Sequence, residues 1–585
     1  MKNNKTLKTN VCTGGRTLFN NGFTLIELLA VIVILAIIAL IAIPQILNLI
    51  NNTKEKSAKI SAQNYLRAVE VAVMNKDTDI EVKNLNGTYK INEKGKKLNS
   101  DANEIAVEFD GKSNFEGYIT ITNYKITSTD ISVDDFSVNY IDGEVSVTNK
   151  KETEKSILVK GQEFNSIIKS LVNGSGTTYS FTDEKVISID FYSNGLLPSG
   201  YTKETLELLP KENVSTNNDA IAYNDNGKIY IISDKLISFN EDSTYMFVRF
   251  GIINKIQFRT VDTSQVTNMG GMFERCNNLK IIDISNFDTK KVKKMNYMFF
   301  GCNSLTMLDV SSFDTSNVTD MQYMFSDCFN LTSLDLSNFN MNSINELTNF
   351  LRNCKSLKEL DININKWNTN DEITMNNMFA NCSSLASIDV SSFDTSNVTD
   401  MSNMFAGCSS LTNIDVSNFN TNKIKNIAGM FSNCTNLTSI DISHFNVSKV
   451  NSLAYLFSGC TNLISIEFGN NFDTSNVTNT ENMFRDCKAL TNIDISDLEM
   501  NNIINSSYMF MNCTNLKNVN LSSFGTSNET QMVNMFLKTT SLENIIIGCD
   551  WVTSINNTNM FNGSKLTQEQ FNTLVEQTQA SCTTS

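Results

Sequence analysis

From Phe258 onward the chain repeats itself, and a repeat this short confines the fold to a stack of similar coils. A unit of 26 residues cannot bury a core alone, so neighbouring units must bury it between them. Residues 313–338 and 393–418 are two such units: both begin Phe-Asp-Thr-Ser-Asn-Val-Thr-Asp-Met and both carry Met-Phe-x-x-Cys. Aligned on cysteine the units fall at Cys276, Cys302, Cys328, Cys354, Cys382, Cys408, Cys434, Cys460, Cys487 and Cys513, in steps of 26, 27 or 28. An eleventh, degenerate unit around Met535-Phe536 has Thr539 in the cysteine position.

Each unit contains a strand phrase, as in Leu411, Ile414, Val416 and Phe419, followed by a segment we read as a short helical return. In Val398, Met401, Met404 and Phe405 the apolar residues stand at i, i+3, i+6 and i+7, which predicts a Met-Phe pair facing the core under the convex side. The strand phrase resembles that of leucine-rich repeats. The unit as a whole is similar to the BspA-like leucine-rich repeat of bacterial surface proteins, over residues 258–547 and more weakly back to about residue 185 through Ile187–Pro198. The resemblance implies a solenoid of about eleven repeats over 259–547, preceded by a linker and αβ cap over 151–258 and followed by a C-terminal cap over 548–585. Two extra residues near Ile364–Trp367 predict a bulge or kink. A capping box, Thr567 with Gln570, opens a final helix whose Phe571, Leu574 and Val575 share one face, suited to closing the open core.

At the other end, Phe23 to Ile43 is a run of 21 residues in which only Thr24 and Glu27 are polar. At ~1.5 Å per residue such a helix spans the ~30 Å hydrocarbon layer of a bilayer. A carboxylate inside that layer costs about 2.5–3.5 kcal/mol and needs a partner. The stretch Gly22-Phe23-Thr24-Leu25-Ile26-Glu27 resembles the prepilin cleavage and methylation motif of type IV pilins and type II secretion pseudopilins. The resemblance implies cleavage between Gly22 and Phe23 by a prepilin peptidase, N-methylation of Phe23, and roles in filament assembly for Glu27 and Pro44. It also implies how Glu27 is satisfied, by the terminal ammonium on Phe23 of a neighbouring subunit.

The leader 1–22 carries Lys2, Lys5, Lys8 and Arg16 and no acid, so its removal takes the net charge from −15 to −19. Nucleic acid is therefore not an expected partner. Beyond Pro44 the helix, 23–75, is expected to continue, because Ala62, Leu66, Val69 and Val73 recur at helical spacing. The alternating runs from Tyr118 to Val147 with an Asp142-Gly143 turn predict an antiparallel β head over 76–150, packed on that helix in the manner of a pilin. The charged stretch 149–161 reads as a linker or short helix, and Val186–Tyr192, Ile229–Ile232 and Tyr245–Phe250 as strands of the cap. The chain is thus expected to be multidomain: a long N-terminal α-helix with an α+β head, then the repeat solenoid between two caps.

The ten ladder cysteines are expected to be buried free thiols, since each lacks a second metal ligand and successive coils hold them too far apart for a disulfide. Cys549 and Cys582 lie outside the ladder and could pair across the final helix. His444 stands where other units have Asn or Ser and reads as a surface substitution. No phosphate-binding loop, nucleophile elbow or metal-ligand spacing appears, so no enzyme, metal or cofactor is implied.

The distinctive chemistry is an acidic column seven residues after each cysteine: Asp283, Asp309, Asp335, Asp361, Asp389, Asp415, Asp441, Glu467 and Asp494, broken at Asn520. Serine follows two residues later at Ser285, Ser311, Ser337, Ser391, Ser417, Ser443, Ser496 and Ser522. Period-two alternation points both columns to the concave face. The acids either bind a cationic or hydroxyl-rich ligand or form a solubilising ladder. Together the two resemblances imply a minor pilin or pilin-like subunit carrying a repeat adhesin at the cell surface, membrane-anchored before assembly. Its expected partners are the peptidase, other pilin subunits, and a host, matrix or bacterial surface protein or glycan. A pseudopilin-type secretion component is the first alternative and a surface hydrolase the second.

Overall fold

The computed structural model describes residues 56–73, the strands of 87–149, and 155–584 apart from 175–177, 363–371, 528–529 and 553–555. Gly22, Phe23, Glu27, Pro44 and the apolar run between them lie outside the described residues, as does the expected kink at Ile364–Trp367. Among the described residues no helix is long and apolar enough to cross a membrane.

Residues 56–73 are helical, and Ala62, Leu66, Val69 and Val73 are all buried, as their spacing predicts. This face shares one core with a seven-stranded antiparallel sheet formed by β1 (Gly87–Asn92), β2 (Lys97–Asn99), β3 (Glu104–Ala106), β4 (Phe115–Thr122), β5 (Lys125–Val133), β6 (Phe136–Ile141) and β7 (Glu144–Asn149). The strand order is β3-β2-β1-β4-β5-β6-β7, so almost every connection is a short hairpin. Along β4 the residues Phe115, Ile119 and Ile121 turn inward at the period of a strand, and Tyr65 of the helix stacks on Phe115 at 4.2 Å.

Lys155–Ile157, expected in a linker or helix, is a strand paired in parallel with Leu236–Ser238. The next helix, Gly161–Asn173, buries Phe164 and Ile168 in the end of the solenoid core. Its Lys169, fully buried, donates Nζ to the carbonyls of Tyr179, Phe181 and Val248 at 2.6 to 2.9 Å. Those carbonyls belong to the first coil and its approach, where no earlier coil could satisfy them. Strands Ser188–Tyr192 and Lys228–Ser233 form where expected and pair in parallel.

The solenoid stacks in register one repeat apart: Leu334 opposite Leu360, Ile440 opposite Ile466, and Ile493, Val519 and Ile545 in line. One core runs from Leu158 to Val575. Its spine is a column of phenylalanines from Phe247 to Phe561, with neighbouring rings near-parallel and 5.2 to 6.0 Å apart. Truncating one such buried ring to Ala costs about 3–5 kcal/mol. The column breaks once, where Leu351 takes the phenylalanine position and Phe350 meets Phe325 edge-on at 76°.

The return segment is not helical. From Met401 to Cys408 the amides of Met401, Asn403, Phe405 and Gly407 donate forward to Asn426, Ala428, Met430 and Ser432 of the next coil, while Met404, Ala406 and Cys408 donate back three residues. Asn403 and Gly407 take left-handed backbone, φ 54° and 75°. A helix needs negative φ throughout and bonds to i−4; this segment is a chain of tight turns instead. Tyr245–Phe250, expected as a strand, is another such return, with Tyr245 and Arg249 left-handed and Phe247 heading the ring column. The repeats therefore start a coil earlier than residue 258. They also run past residue 547, because Met560-Phe561 forms a further return with Gly563 left-handed.

The C-terminal helix Gln568–Thr584 opens with the expected capping box: Thr567 N–H donates to Gln570 Oε1 and Gln570 N–H to Thr567 Oγ1. Phe571 and Val575 are buried, with Leu574 packed beside them. Cys549 and Cys582 form a disulfide across this helix, Cα atoms 5.9 Å apart, and all ten ladder cysteines are buried free thiols.

Candidate functional site

The face expected to be concave is made by two outward-facing positions per coil. In Ser333–Asp335 the side chain of Leu334 is buried, as is the following Leu336, so Ser333 and Asp335 face outward. The same alternation exposes Asp283, Asp309, Asp335, Asp361, Asp389, Asp415, Asp441, Glu467 and Asp494, which the fold thus brings into one column.

One oxygen of most of these acids has a local task. Oδ1 of Asp309, Asp335, Asp389, Asp415 and Asp441 accepts the backbone N–H two residues on, from Ser311, Ser337, Ser391, Ser417 and Ser443, at 2.9 Å. Asp283 and Asp494 do the same with Ser285 and Ser496. Each acid thereby closes the turn that ends its strand, an Asx turn, and the serines sit on that turn with their amides tied back. Hydrogen bonds from the serine two residues on hold the carboxyls of Asp335, Asp389, Asp415, Asp441 and Asp494 below the usual range. Asn520, which interrupts the acids, still accepts from Ser522 at 3.1 Å, so the turn survives without the charge.

The face is graded along its length. Ile281 and Met307, five residues after their cysteines, are 69% and 61% exposed at the N-terminal end. Beside Met307 lies a cleft of about 410 Å³ lined by Asp309, Asp335, Glu359 and Asp361. At the other end the same positions carry Asn492, Asn518 and Asn544, whose amides hydrogen-bond one to the next. Cationic, amphipathic groups suit the first region; hydroxyl-rich groups suit the second.

The Phe-Asp-Thr-Ser signature is explained by the corner that follows. Asp314 Oδ1 accepts from Ser316 N–H, and buried Thr315 both donates to Asn340 carbonyl oxygen at 3.0 Å and accepts Asn340 N–H at 2.7 Å. Thr289 and Thr395 tie their coils to the next in the same way. His444 Nε2 lies 2.8 Å from the Val416 carbonyl, as Asn418 Nδ2 donates to Val390, so it substitutes for asparagine in bonding the preceding coil. Among the described residues no group of three His, Cys, Asp or Glu is placed to hold a metal ion.

Two contacts between head and solenoid had no sequence signal, because they join residues far apart in the chain. Lys90 of β1 pairs with Asp283, the first acid of the column. Arg259 lies over the rings of Tyr192 at 4.5 Å and Tyr118 of β4 at 5.4 Å.

The family described as the prokaryotic N-terminal methylation motif matches residues 19–43. No curated protein matches the chain. Among solved structures it is similar to a leucine-rich repeat protein from Bacteroides ovatus, with 18% identity over 73% of this chain and 92% of that one at a TM-score of 0.28. It is also similar to one from Eubacterium ventriosum, with 16% identity over 61% and 95% at 0.30, and to the T. pallidum protein TpLRR, with 23% identity over 32% and 76% at 0.23. At TM-scores this low the architecture is read from the chain's own ladders, not from these proteins. A second family, described as "Mycoplasma protein of unknown function, DUF285", matches residues 241–362, 355–467 and 464–574. These stretches run together over more than half of the 585 residues, and the chain belongs to that family.

Proposed function

We propose that the protein is a minor type IV pilin, or a pilin-like subunit, that displays its repeat solenoid at the cell surface as an adhesin. The observation that carries this reading is the presence in one chain of a methylation motif at 19–43 and a long solenoid whose concave face is lined with exposed acids. The motif supplies processing by a prepilin peptidase at Gly22 and Phe23, membrane anchoring before assembly, and packing against other pilin subunits through Glu27 and Pro44. The helix packed on an antiparallel sheet between motif and solenoid suits a pilin head. The concave face binds a host, matrix or bacterial surface protein or glycan by electrostatics and hydrogen bonds. The chain acts by binding, without catalysis, cofactor or nucleic acid.

Immunogold labelling with antibodies to the repeats tests this. Label along or at the tips of surface filaments is expected. Label confined to the cell envelope, with loss of protein secretion in a deletion strain, would replace the adhesin with a secretion pseudopilin.

A further inference from the structure

Residues 290–294 read Lys-Lys-Val-Lys-Lys. In other coils the same five positions read Ser-Asn-Val-Thr-Asp at 316–320 and 396–400, and Ser-Asn-Val-Thr-Asn at 475–479. Val292 keeps the fully buried place of Val318, Val398 and Val477, while all four positions around it have become lysine. The change is confined to the surface, since Lys290, Lys291, Lys293 and Lys294 are all exposed. Packing therefore does not call for it.

Folding does not call for it either. Four ammonium groups within five residues repel one another, and among the described residues none of them stands in an ion pair that would offset this. Among the described residues their ammonium groups make one hydrogen bond, from Lys291 Nζ to Gln265 Oε1 at 2.7 Å. The neighbouring coils flank Lys290, Lys291 and Lys293 with neutral Ser264, Gln265 and Thr267 on one side and Ser316, Asn317 and Thr319 on the other, while Lys294 stands between Asn268 and Asp320. Asp320, opposite Lys294 in the next coil and within reach of its charge, and Glu346 one coil beyond repel anions and confine a negative ligand to Lys290, Lys291 and Lys293 and the near side of Lys294.

We infer that the Lys290–Lys294 ridge is a binding site for a linear polyanion bearing phosphate or sulfate groups, separate from the concave face. Lysine suits this ligand, because each ammonium is a compact charge with three donors that can follow a flexible anionic polymer. The one apolar side chain of the ridge is buried, which leaves nothing to insert into a lipid surface.

The test uses the full chain in non-ionic detergent, titrated with inorganic polyphosphate and, separately, heparin. Binding is expected to weaken at least about tenfold between about 50 and about 200 mM salt, as several released counterions require. The variant Lys290→Ser, Lys291→Asn, Lys293→Thr, Lys294→Asn restores the residues of 475–479, so it should melt as the wild type does while losing about tenfold or more in affinity. Lys423→Asn with Lys449→Asn, on the same ridge elsewhere, should leave binding unchanged. Retention with polyphosphate alone identifies a phosphate polymer and with heparin alone a sulfated one, and either supports the site. The site is overturned if neither polymer binds, if only anionic vesicles bind, if the fourfold variant binds like the wild type, or if the control variant loses as much.

Discussion

Cys408 Sγ donates a hydrogen bond to the carbonyl oxygen of Phe379, 29 residues and one coil earlier, at 3.2 Å. The other nine ladder cysteines make the same bond at 2.9 to 3.3 Å, so the ladder is a column of donors that ties each coil to the one before. A thiol is small and weakly polar enough to sit in the core and still donate. Replacing Cys408 by Ala removes both the donor and buried volume and should cost about 1–3 kcal/mol, measured by denaturant unfolding. In the native protein the ten thiols should resist alkylation that the unfolded chain accepts.

The same burial predicts alkaline lability. Burial pushes the thiols of Cys276, Cys328, Cys408 and Cys460 from 9.0 up to about 12, and raises the other six as well. The unfolded chain then loses thiol protons that the folded chain keeps. Stability is full below about pH 9 and should fall between about pH 9 and 12, by as much as about 1.4 kcal/mol per pH unit for each thiol. Lys169 works the other way, because burial lowers it to about 8, so its contribution rises with pH up to about 10.5. One lysine against ten thiols leaves a net loss. Melting scans from pH 7 to about pH 11 should show a steep fall, shallower in a variant with several ladder cysteines replaced by Ser.

Repulsion along the acidic column would make Asp389→Asn, Asp415→Asn, Asp441→Asn as stable as the wild type or more so. The geometry reverses that sign. The hydrogen bonds to Ser391, Ser417 and Ser443 hold all three carboxyls down, and repulsion from Asp415 is a lesser influence on Asp389 and Asp441. A depressed carboxyl stabilises the fold above its unfolded pKa and loses that contribution as pH falls through its folded value. The triple variant should therefore melt slightly lower at neutral pH and lose that difference as pH falls through the lowered carboxyl values of the folded protein. Asparagine keeps the acceptor, as Asn520 does, so the fold should survive by circular dichroism. Loss of adhesion by this folded variant would assign the column to ligand binding.

The period, the two faces of the strand phrase and the final capping box were legible because each depends on residues near in sequence. The helical reading of the return failed on residues it passed over. The position before nine of the ten ladder cysteines is Gly301, Asp327, Asn353, Asn381, Gly407, Asn433, Gly459, Asp486 or Asn512 in turn, the types that tolerate positive φ, and the structure places all of them there, with Arg275 before Cys276 taking the same conformation. A column of Gly, Asn and Asp once per repeat argues for turns against a helix. The terminal coils were missed because alignment followed cysteine, which Phe250 and Ser564 replace; Tyr245-Met246-Phe247 matches Tyr297-Met298-Phe299 and gave the signal. The turn-closing use of the acids was open to view in the Asp-x-Ser spacing. The pairing of Lys90 with Asp283 was not, since it spans 193 residues.

The central claim is that this solenoid is carried by a processed pilin-type N-terminus, and the N-terminal peptide of the protein recovered from sheared surface material tests it most directly. Mass spectrometry should find a chain that begins at Phe23, one methyl group heavier than the unmodified peptide, and Gly22→Ala should leave the precursor uncut in the membrane fraction. A wild-type chain that retains residues 1–22, or begins at any residue other than Phe23, would contradict the account.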